Sequence, residues 1–213
     1  MSNKPTSTVE ATDLVHILDA KYEKADLQEV VSTNCTHLSP SQQEKLLEVL
    51  IKFEDLFNRT LGNLKTEPVS FELKEGMKPY QGRPYPVPKV HKETLTKELN
   101  RLCELGVLRF QPAFEWNSLS FIIPTKNKTA QMISDFREEN KRLVRKLFPI
   151  PKISTVLQEL EGFTFATSLD LNMVYYTISL DPDASKICTI FFPWGKYSFL
   201  WLPMSTSGSP DIF

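Results

Sequence analysis

Phe165-Ala-Thr-Ser-Leu-Asp-Leu-Asn-Met-Val-Tyr-Tyr-Thr-Ile-Ser-Leu180 sets one carboxylate, Asp170, at the end of a short apolar run and restarts an alternating run five residues later. The pattern predicts strand, tight connection, strand, with an acid displayed where the first strand ends. An acid in that place serves either as a turn cap or as a metal ligand, and this stretch alone does not choose between them. The choice rests on what surrounds it.

Downstream, Asp181-Pro-Asp-Ala-Ser185 predicts a turn. Ile187-Cys-Thr-Ile-Phe-Phe192 and Lys196-Tyr-Ser-Phe-Leu-Trp-Leu202 then predict a hairpin about Pro193-Trp-Gly195. Ser209-Pro-Asp-Ile-Phe213 has the form of a first helical turn, and a chain that stops there is expected to be truncated. Upstream, Ile153 to Glu161 predicts a short helix with Val156, Leu157 and Leu160 apolar and Gly162 as its stop, after the stiff connector Phe148-Pro-Ile-Pro151. The segment Asp135 to Lys146 is the most basic in the chain, with Arg137, Lys141, Arg142, Arg145 and Lys146 against two glutamates. It reads either as a phosphate-contacting surface or as a solvated face. Leu119-Ser-Phe-Ile-Ile-Pro124 and Gln131-Met-Ile-Ser134 predict a second hairpin, with the basic tip Thr125-Lys-Asn-Lys-Thr129, and Val107-Leu-Arg-Phe110 predicts a further strand.

Farther toward the amino terminus, a helix is predicted up to Leu105, with Leu95, Leu99 and Leu102 on one face and Gly106 at its end. Lys78-Pro-Tyr-Gln-Gly-Arg-Pro-Tyr-Pro-Val-Pro-Lys89 must run extended, because each proline fixes its own φ and disfavours helix in the residue before it. Val69-Ser-Phe-Glu-Leu73 alternates as an edge-like strand. Ser39-Pro40 opens an amphipathic helix to about Asn58, with Leu46, Leu47, Leu50, Phe53 and Phe57 at helical spacing and a packing role. Residues 1–12 are expected to be a disordered tail, and Leu14-Val-His-Ile-Leu18 and Val30-Val31 carry no clear assignment.

The 213 residues are 41% apolar, enough for a core, and carry 25 basic against 26 acidic side chains, a formal net charge of −1. Any nucleic-acid role must therefore rest on local charge. Cys35, Cys103 and Cys188 are odd in number and far apart, which argues against a disulfide framework or a zinc site and for a reducing compartment. No signal-like or membrane-spanning run is visible, so a soluble, intracellular protein of the cytoplasm or nucleus is expected, with no membrane partner.

Taken in order, the blocks resemble the reverse transcriptase segment of a gypsy-type LTR retrotransposon polyprotein. They are Lys78-Pro-Tyr, Arg83-Pro-Tyr-Pro-Val-Pro, Leu102-Cys-Glu-Leu-Gly-Val-Leu108, Phe121-Ile-Ile-Pro124, Ser134-Asp-Phe-Arg-Glu-Glu-Asn-Lys141, Phe148-Pro-Ile-Pro-Lys152, Ser168-Leu-Asp-Leu171, Tyr175-Tyr176, Trp194-Gly-Lys-Tyr197, Leu202-Pro-Met204 and Ser209-Pro-Asp-Ile-Phe213. The resemblance implies an α+β fold: the fingers and partial palm of a right-hand polymerase over residues 70–213, preceded by a helical spacer over 13–69. It implies template-directed DNA synthesis on RNA or DNA with two divalent ions, Mg2+ or Mn2+, held by three aspartates. Asp170 matches the first of these as catalytic residue and metal ligand. The other two belong to a Tyr-x-Asp-Asp motif that these 213 residues do not contain.

The resemblance further implies substrate contact at Lys126, Gln131, Leu171, Val174, Tyr175 and Met204, while local charge makes Lys128, Arg137, Lys141, Arg142, Arg145 and Lys146 the candidates for nucleic-acid contact. Four positions depart from the family. Val174 stands where glycine or alanine is usual and narrows the sugar pocket. Gln131 stands for a triphosphate-binding arginine and loses its charge and fork. Asn127-Lys128 replaces a tight Asp-Gly turn, and Ser205 replaces a glycine. A reverse transcriptase fragment inactive on its own is expected. The alternatives are a non-catalytic nucleic-acid or protein-binding module and a non-functional genomic remnant. An apolar face around Phe191, Phe192, Phe199 and Trp201 is expected to lack cover and to promote self-association.

Overall fold

The structure is a computed structural model, and it describes residues 16–17, 25–57, 61–124, 129–160, 162, 171 and 173–213. The side chains of residues 16, 17, 124 and 129–131 lie outside that description. The chain divides into two compact units: Met1–Leu18 with Asn63–Leu169 and Val174–Phe213, and Asp19–Gly62 with Asp170–Met173.

The smaller unit is built on two helices. Helix α1 (Leu27–Asn34) starts at Asp26, whose Oδ1 accepts hydrogen bonds from the backbone N–H groups of Gln28 and Glu29, each at 3.0 Å. This satisfies two of the donors that a helix start leaves open. Leu27 and Val31 are its buried residues, so the unassigned Val30-Val31 pair belongs to this helix. Helix α2 (Pro40–Lys52) begins at Ser39 as the sequence requires, with Pro40 in its first turn and the Gln42 side chain accepting from the Ser39 N–H at 2.9 Å. It ends sooner than the expected Asn58, tightening at Glu54–Phe57 into a 3-10 turn. None of its residues is buried, and Val49, Ile51 and Phe53 are exposed.

The larger unit carries a six-stranded mixed sheet in the order β1-β4-β3-β5-β6-β2. Its strands are β1 (His16–Ile17), β2 (Leu108–Phe110), β3 (Ser118–Pro124), β4 (Thr129–Asp135), β5 (Thr189–Phe192) and β6 (Gly195–Phe199). Both expected hairpins form: β3 and β4 pair antiparallel with Ser120 opposite Ser134, and β5 and β6 with Ile190 opposite Tyr197. A parallel β3–β5 contact joins the hairpins, and β2 closes one edge by pairing antiparallel with β6. Helix α3 (Lys89–Glu104) buries Leu95, Leu99 and Leu102, one stripe at i, i+4 and i+7. Gly106 stops it at φ +70°, a left-handed conformation that suits glycine, and its carbonyl accepts from the Trp201 indole N–H at 3.0 Å.

The proline-rich stretch is extended, as expected, and is held to the sheet by backbone bonds. Asn117 N–H donates to Tyr80 O at 2.9 Å, and Gly82 N–H donates to Asn117 O at 3.1 Å. At Gly82 a Cβ would lie 2.8 Å from Leu119 Cδ2 and 3.0 Å from the Asn117 carbonyl oxygen, so only glycine permits the approach.

Five local expectations are corrected. Val69–Leu73 forms no continuous strand, because Val69 bridges Leu180 while Leu73 bridges Leu143, and two different partners cannot make one ladder. The second strand of the quoted stretch is replaced by a 3-10 turn at Val174–Thr177, in which the Thr177 hydroxyl donates to Val174 O at 2.6 Å. Met173 just before it sits at φ +47°, which interrupts any extended run, and only Ser179 and Leu180 make single bridges. The first strand, residues 165–170, lies outside the described residues.

Asp181–Ser185 is not a simple turn but the start of helix α6 (Pro182–Ile187), capped by Asp181. The helix expected from Ile153 to Glu161 ends two residues sooner, as α5 (Ile153–Glu159), and Ile153, Val156, Leu157 and the following Leu160 are exposed. Finally, the aromatic face expected to lack cover is largely covered by this chain. Phe192 and Phe199 are fully buried, Phe192 stacking on Trp194 at 5.4 Å between ring centres and Phe199 meeting Phe136 and Tyr176. Phe191 and Trp201 are partly buried. That removes the apolar face as a motive for self-association.

Candidate functional site

Asp170, Lys126 and Lys128, with the Asn127-Lys128 tip, lie outside the described residues. Gln131 is placed in β4 opposite Ile123, with its side chain outside the description. Leu171 is exposed and belongs to the smaller unit. Val174 and Tyr175 occupy the 3-10 turn of the larger unit, and the Tyr175 ring meets Phe213 edge-on at 5.9 Å. Phe213 follows helix α7 (Ser209–Ile212), the expected terminal helical turn.

Met204 is exposed on the turn that precedes α7. That turn is fixed from two sides. Within it, the Ser209 hydroxyl donates to Pro203 O at 2.6 Å and lies against the Thr206 hydroxyl. From outside, Asn140 on helix α4 (Arg137–Arg142) donates through Nδ2 to Ser205 O at 3.1 Å and accepts at Oδ1 from Ser207 N–H at 2.8 Å. Both faces of one amide side chain are thus used on one loop, which a lone Asn among charged neighbours does not announce in the sequence.

The basic cluster is paired residue by residue. Arg137 forks onto Asp135, with Nε–Oδ1 2.8 Å and Nη2–Oδ2 2.6 Å, and holds that carboxyl below its usual range. Lys141 and Arg142 share Glu138, and hydrogen bonds from both lower its pKa. The Arg142 guanidinium also lies over the Tyr80 ring at 5.2 Å. Arg145 Nε meets Asp211 Oδ2 at 2.7 Å, and Lys146 stands 3.8 Å from Glu72. The side chains of Arg137, Lys141 and Lys146 are 79%, 69% and 82% exposed, so their ion pairs are screened and weak enough for a phosphate to compete.

The acids are committed as well. Asp181 Oδ1 accepts from Ala184 N–H at 2.6 Å, Asp183 pairs with Lys186, and Asp211 accepts from Arg145 and from the Phe148 N–H. Among the described residues no group of three His, Cys, Asp or Glu side chains could hold a metal ion. Asp170, the carboxylate matched to a metal ligand, lies outside those residues. Asp181→Ala is expected to cost about 1 kcal/mol of stability, the usual worth of a helix cap, measurable as a shift in the urea midpoint. An unchanged midpoint would contradict the capping role.

No protein-family model matches the chain. It is 25% identical over 177 residues to the Tf2-3 transposon polyprotein of Schizosaccharomyces pombe, covering 81% of this chain and 13% of the polyprotein. It is 25% identical over 232 residues to the retrovirus-related Pol polyprotein from transposon 412 of Drosophila melanogaster, covering 97% of this chain and 18% of that protein. Prototype foamy virus protease-reverse transcriptase superposes on 90% of the chain with a TM-score of 0.76 at 22% identity, using 26% of its own length. In sequence the chain is similar to retrotransposon polyproteins, and in fold to a reverse transcriptase.

The chain spans about an eighth to a fifth of the length of those curated relatives. A foamy viral protease-reverse transcriptase in complex with an RNA/DNA hybrid superposes on 88% of the chain with a TM-score of 0.71 at 18% identity. Among the described residues, no helix is long and apolar enough to cross a membrane.

Proposed function

We propose that the chain supplies the fingers, the start of the palm and one metal-binding carboxylate of a template-directed DNA polymerase acting on RNA or DNA. The observation that carries this reading is the superposition of nine tenths of the chain on a reverse transcriptase at a TM-score of 0.76. In it, Asp170 is a ligand to Mg2+ or Mn2+ and needs further carboxylates from outside these 213 residues, since hard cations require several oxygen donors. Lys126 contacts the nucleotide phosphates, while Gln131, Leu171, Val174, Tyr175 and Met204 bound the nucleotide site. The 213-residue polypeptide is expected to extend a primer no faster than its Asp170→Asn variant with either metal. Extension above that variant would overturn the dependence on outside carboxylates.

A second reading, nucleic-acid binding without catalysis, is favoured by the exposure of Arg137, Lys141 and Lys146 beside fully committed acids. Lys128, Arg142 and Arg145 would add to this surface. Three phosphate contacts imply a log–log salt slope of about −2.7, or roughly a 40-fold loss of affinity from about 50 to about 200 mM salt. Fluorescence anisotropy with a primer–template duplex measures it. The triple change of Arg137, Lys141 and Lys146 to Gln should flatten the slope, and a salt-independent affinity rules the surface out.

A further inference from the structure

Glu139 is completely buried, and among the described residues none donates a hydrogen bond of good geometry to either carboxylate oxygen. It lies on α4, one residue before the Asn140 that grips the Ser205–Ser207 backbone. Its carbonyl accepts from Leu143 N–H at 3.1 Å, and Leu143 packs with Trp116 and Ile187. The Ser118 hydroxyl beside it is buried too and, like those of Ser120 and Ser198 elsewhere in the sheet, lacks a hydrogen bond among the described residues. A charge in such a place, without a close counter-ion, is strongly disfavoured.

We propose that Glu139 is held in the fold as the neutral carboxylic acid, so that raising the pH loosens α4 and the Pro203–Ser207 loop gripped by Asn140. The inference is independent of any polymerase role, because it concerns the packing of this chain alone.

Each charged or titratable neighbour can be weighed. Burial, the largest influence, raises the Glu139 carboxyl above its usual range, and Asp135 on β4 adds to the rise. Ser118 on β3, the backbone N–H of Glu139 itself and Arg142 on α4 oppose it, but Arg142 is shared with Glu138 and Tyr80, and neither the Ser118 hydroxyl nor that N–H reaches the carboxylate in a satisfactory hydrogen bond. The Cys188 thiol, just past α6, is itself raised far above its usual range, chiefly by burial, and stays neutral. For a carboxyl raised by folding, its favourable contribution is complete below the unfolded-state value and is lost as pH climbs through the folded-state value. Asp135, Glu138 and Asp211 are lowered, so their contributions are lost instead on the acid side. Stability should therefore peak in mild acid, with the descending limb above the peak set by Glu139.

Thermal melting of the full chain from about pH 5 to about pH 8 tests the first part. The melting temperature is expected to fall across this range, and Glu139→Gln, which cannot ionise, should remove at least half of the fall while leaving the acid limb unchanged. Amide exchange, corrected for intrinsic rate, tests the second: protection of the Ser207 N–H should drop several-fold over the same range in the native chain and stay level in E139Q. A full pH dependence retained in E139Q, or none in the native chain, overturns the proposal. Unchanged Ser207 protection overturns the link to the loop. If E139Q fails to fold, carbon-13 titration of the Glu139 carboxyl in the native chain decides, an ordinary glutamate midpoint refuting the neutral acid.

Discussion

Phe199→Ala is expected to remove about 3–5 kcal/mol of folding free energy, the range for truncating a buried aromatic side chain to alanine. Phe199 sits in β6 at 1% exposure, with ring centres of Phe136 and Tyr176 at 6.1 and 6.0 Å. Those neighbours come from the N-cap position of α4, directly after β4, and from the 3-10 turn after Met173, so the void would open where three sequence-distant pieces meet. Its backbone is fixed too: its N–H donates to Cys188 O at 3.0 Å, and its carbonyl accepts from the Ser185 hydroxyl at 2.7 Å. The surroundings therefore have little freedom to collapse into the void. A loss of that size is at least about a fifth of the roughly 5–15 kcal/mol typical of a folded domain. Denaturant unfolding followed by tryptophan fluorescence measures it. Phe213→Ala, at a 55% exposed position, is the control and should change stability by less than about 1 kcal/mol. Equal losses would mean that the core is not centred on β6.

Trp116→Ala should cost a similar amount, about 3–5 kcal/mol, with a different local signature. Trp116 is 7% exposed and gathers Leu143 and Ile187 with the partly buried Phe71 and Tyr80. Phe71 lies in the segment before the proline-rich stretch and Tyr80 near the start of that stretch. This approach has no continuous ladder, being held by the cluster, by the single bridges of Val69 and Leu73, by bonds from Lys74 N–H to Arg142 O and Val144 N–H to Glu72 O, and by the bonds to Asn117. Removing the indole should free that approach before the sheet unfolds. Limited trypsin digestion reads this directly. Cleavage after Lys74 should become fast at denaturant concentrations where the sheet is intact, while Lys78 and Arg83 stay protected because proline follows each. Fragmentation only together with global unfolding would show that the approach is anchored elsewhere.

What the sequence made legible followed from strong local signals. The stripe of Leu95, Leu99 and Leu102 ending at Gly106, the two hairpins, the cap at Ser39-Pro40 and the helical turn at Ser209 all form as their residues require. Misreadings came where two physical forces compete for one pattern. Val174 to Leu180 alternates like a strand, yet the Thr177 hydroxyl bonds back to Val174 O and the backbone coils. Asp181-Pro182 signals a turn and a helix start equally well, and the capping bond to Ala184 decides.

Of the candidate site, the sequence supplied residue types but not their commitments. Nothing in the run from Arg137 to Lys146 shows that Arg145 reaches Asp211, 66 residues away, or that Asn140 clasps Ser205 and Ser207. Glu139 looked like one of two acids moderating a basic surface, but its side chain turns into the core while that of Glu138 takes the ion pairs. Periodicity over a helix of six residues is too short to separate the two.

The pairing of β2 with β6 also dictates when this protein can fold during synthesis. Leu108 meets Phe199, so the edge of the sheet waits for a partner made about 90 residues later. At roughly 5–20 residues per second, that is a delay of about 5–20 seconds. Until then, the leucine stripe of α3 has no finished sheet to cover it on the ribosome. Cellular yield should thus depend on how well that exposed interval is chaperoned, and slower translation between Phe110 and Phe199 should lengthen the risk.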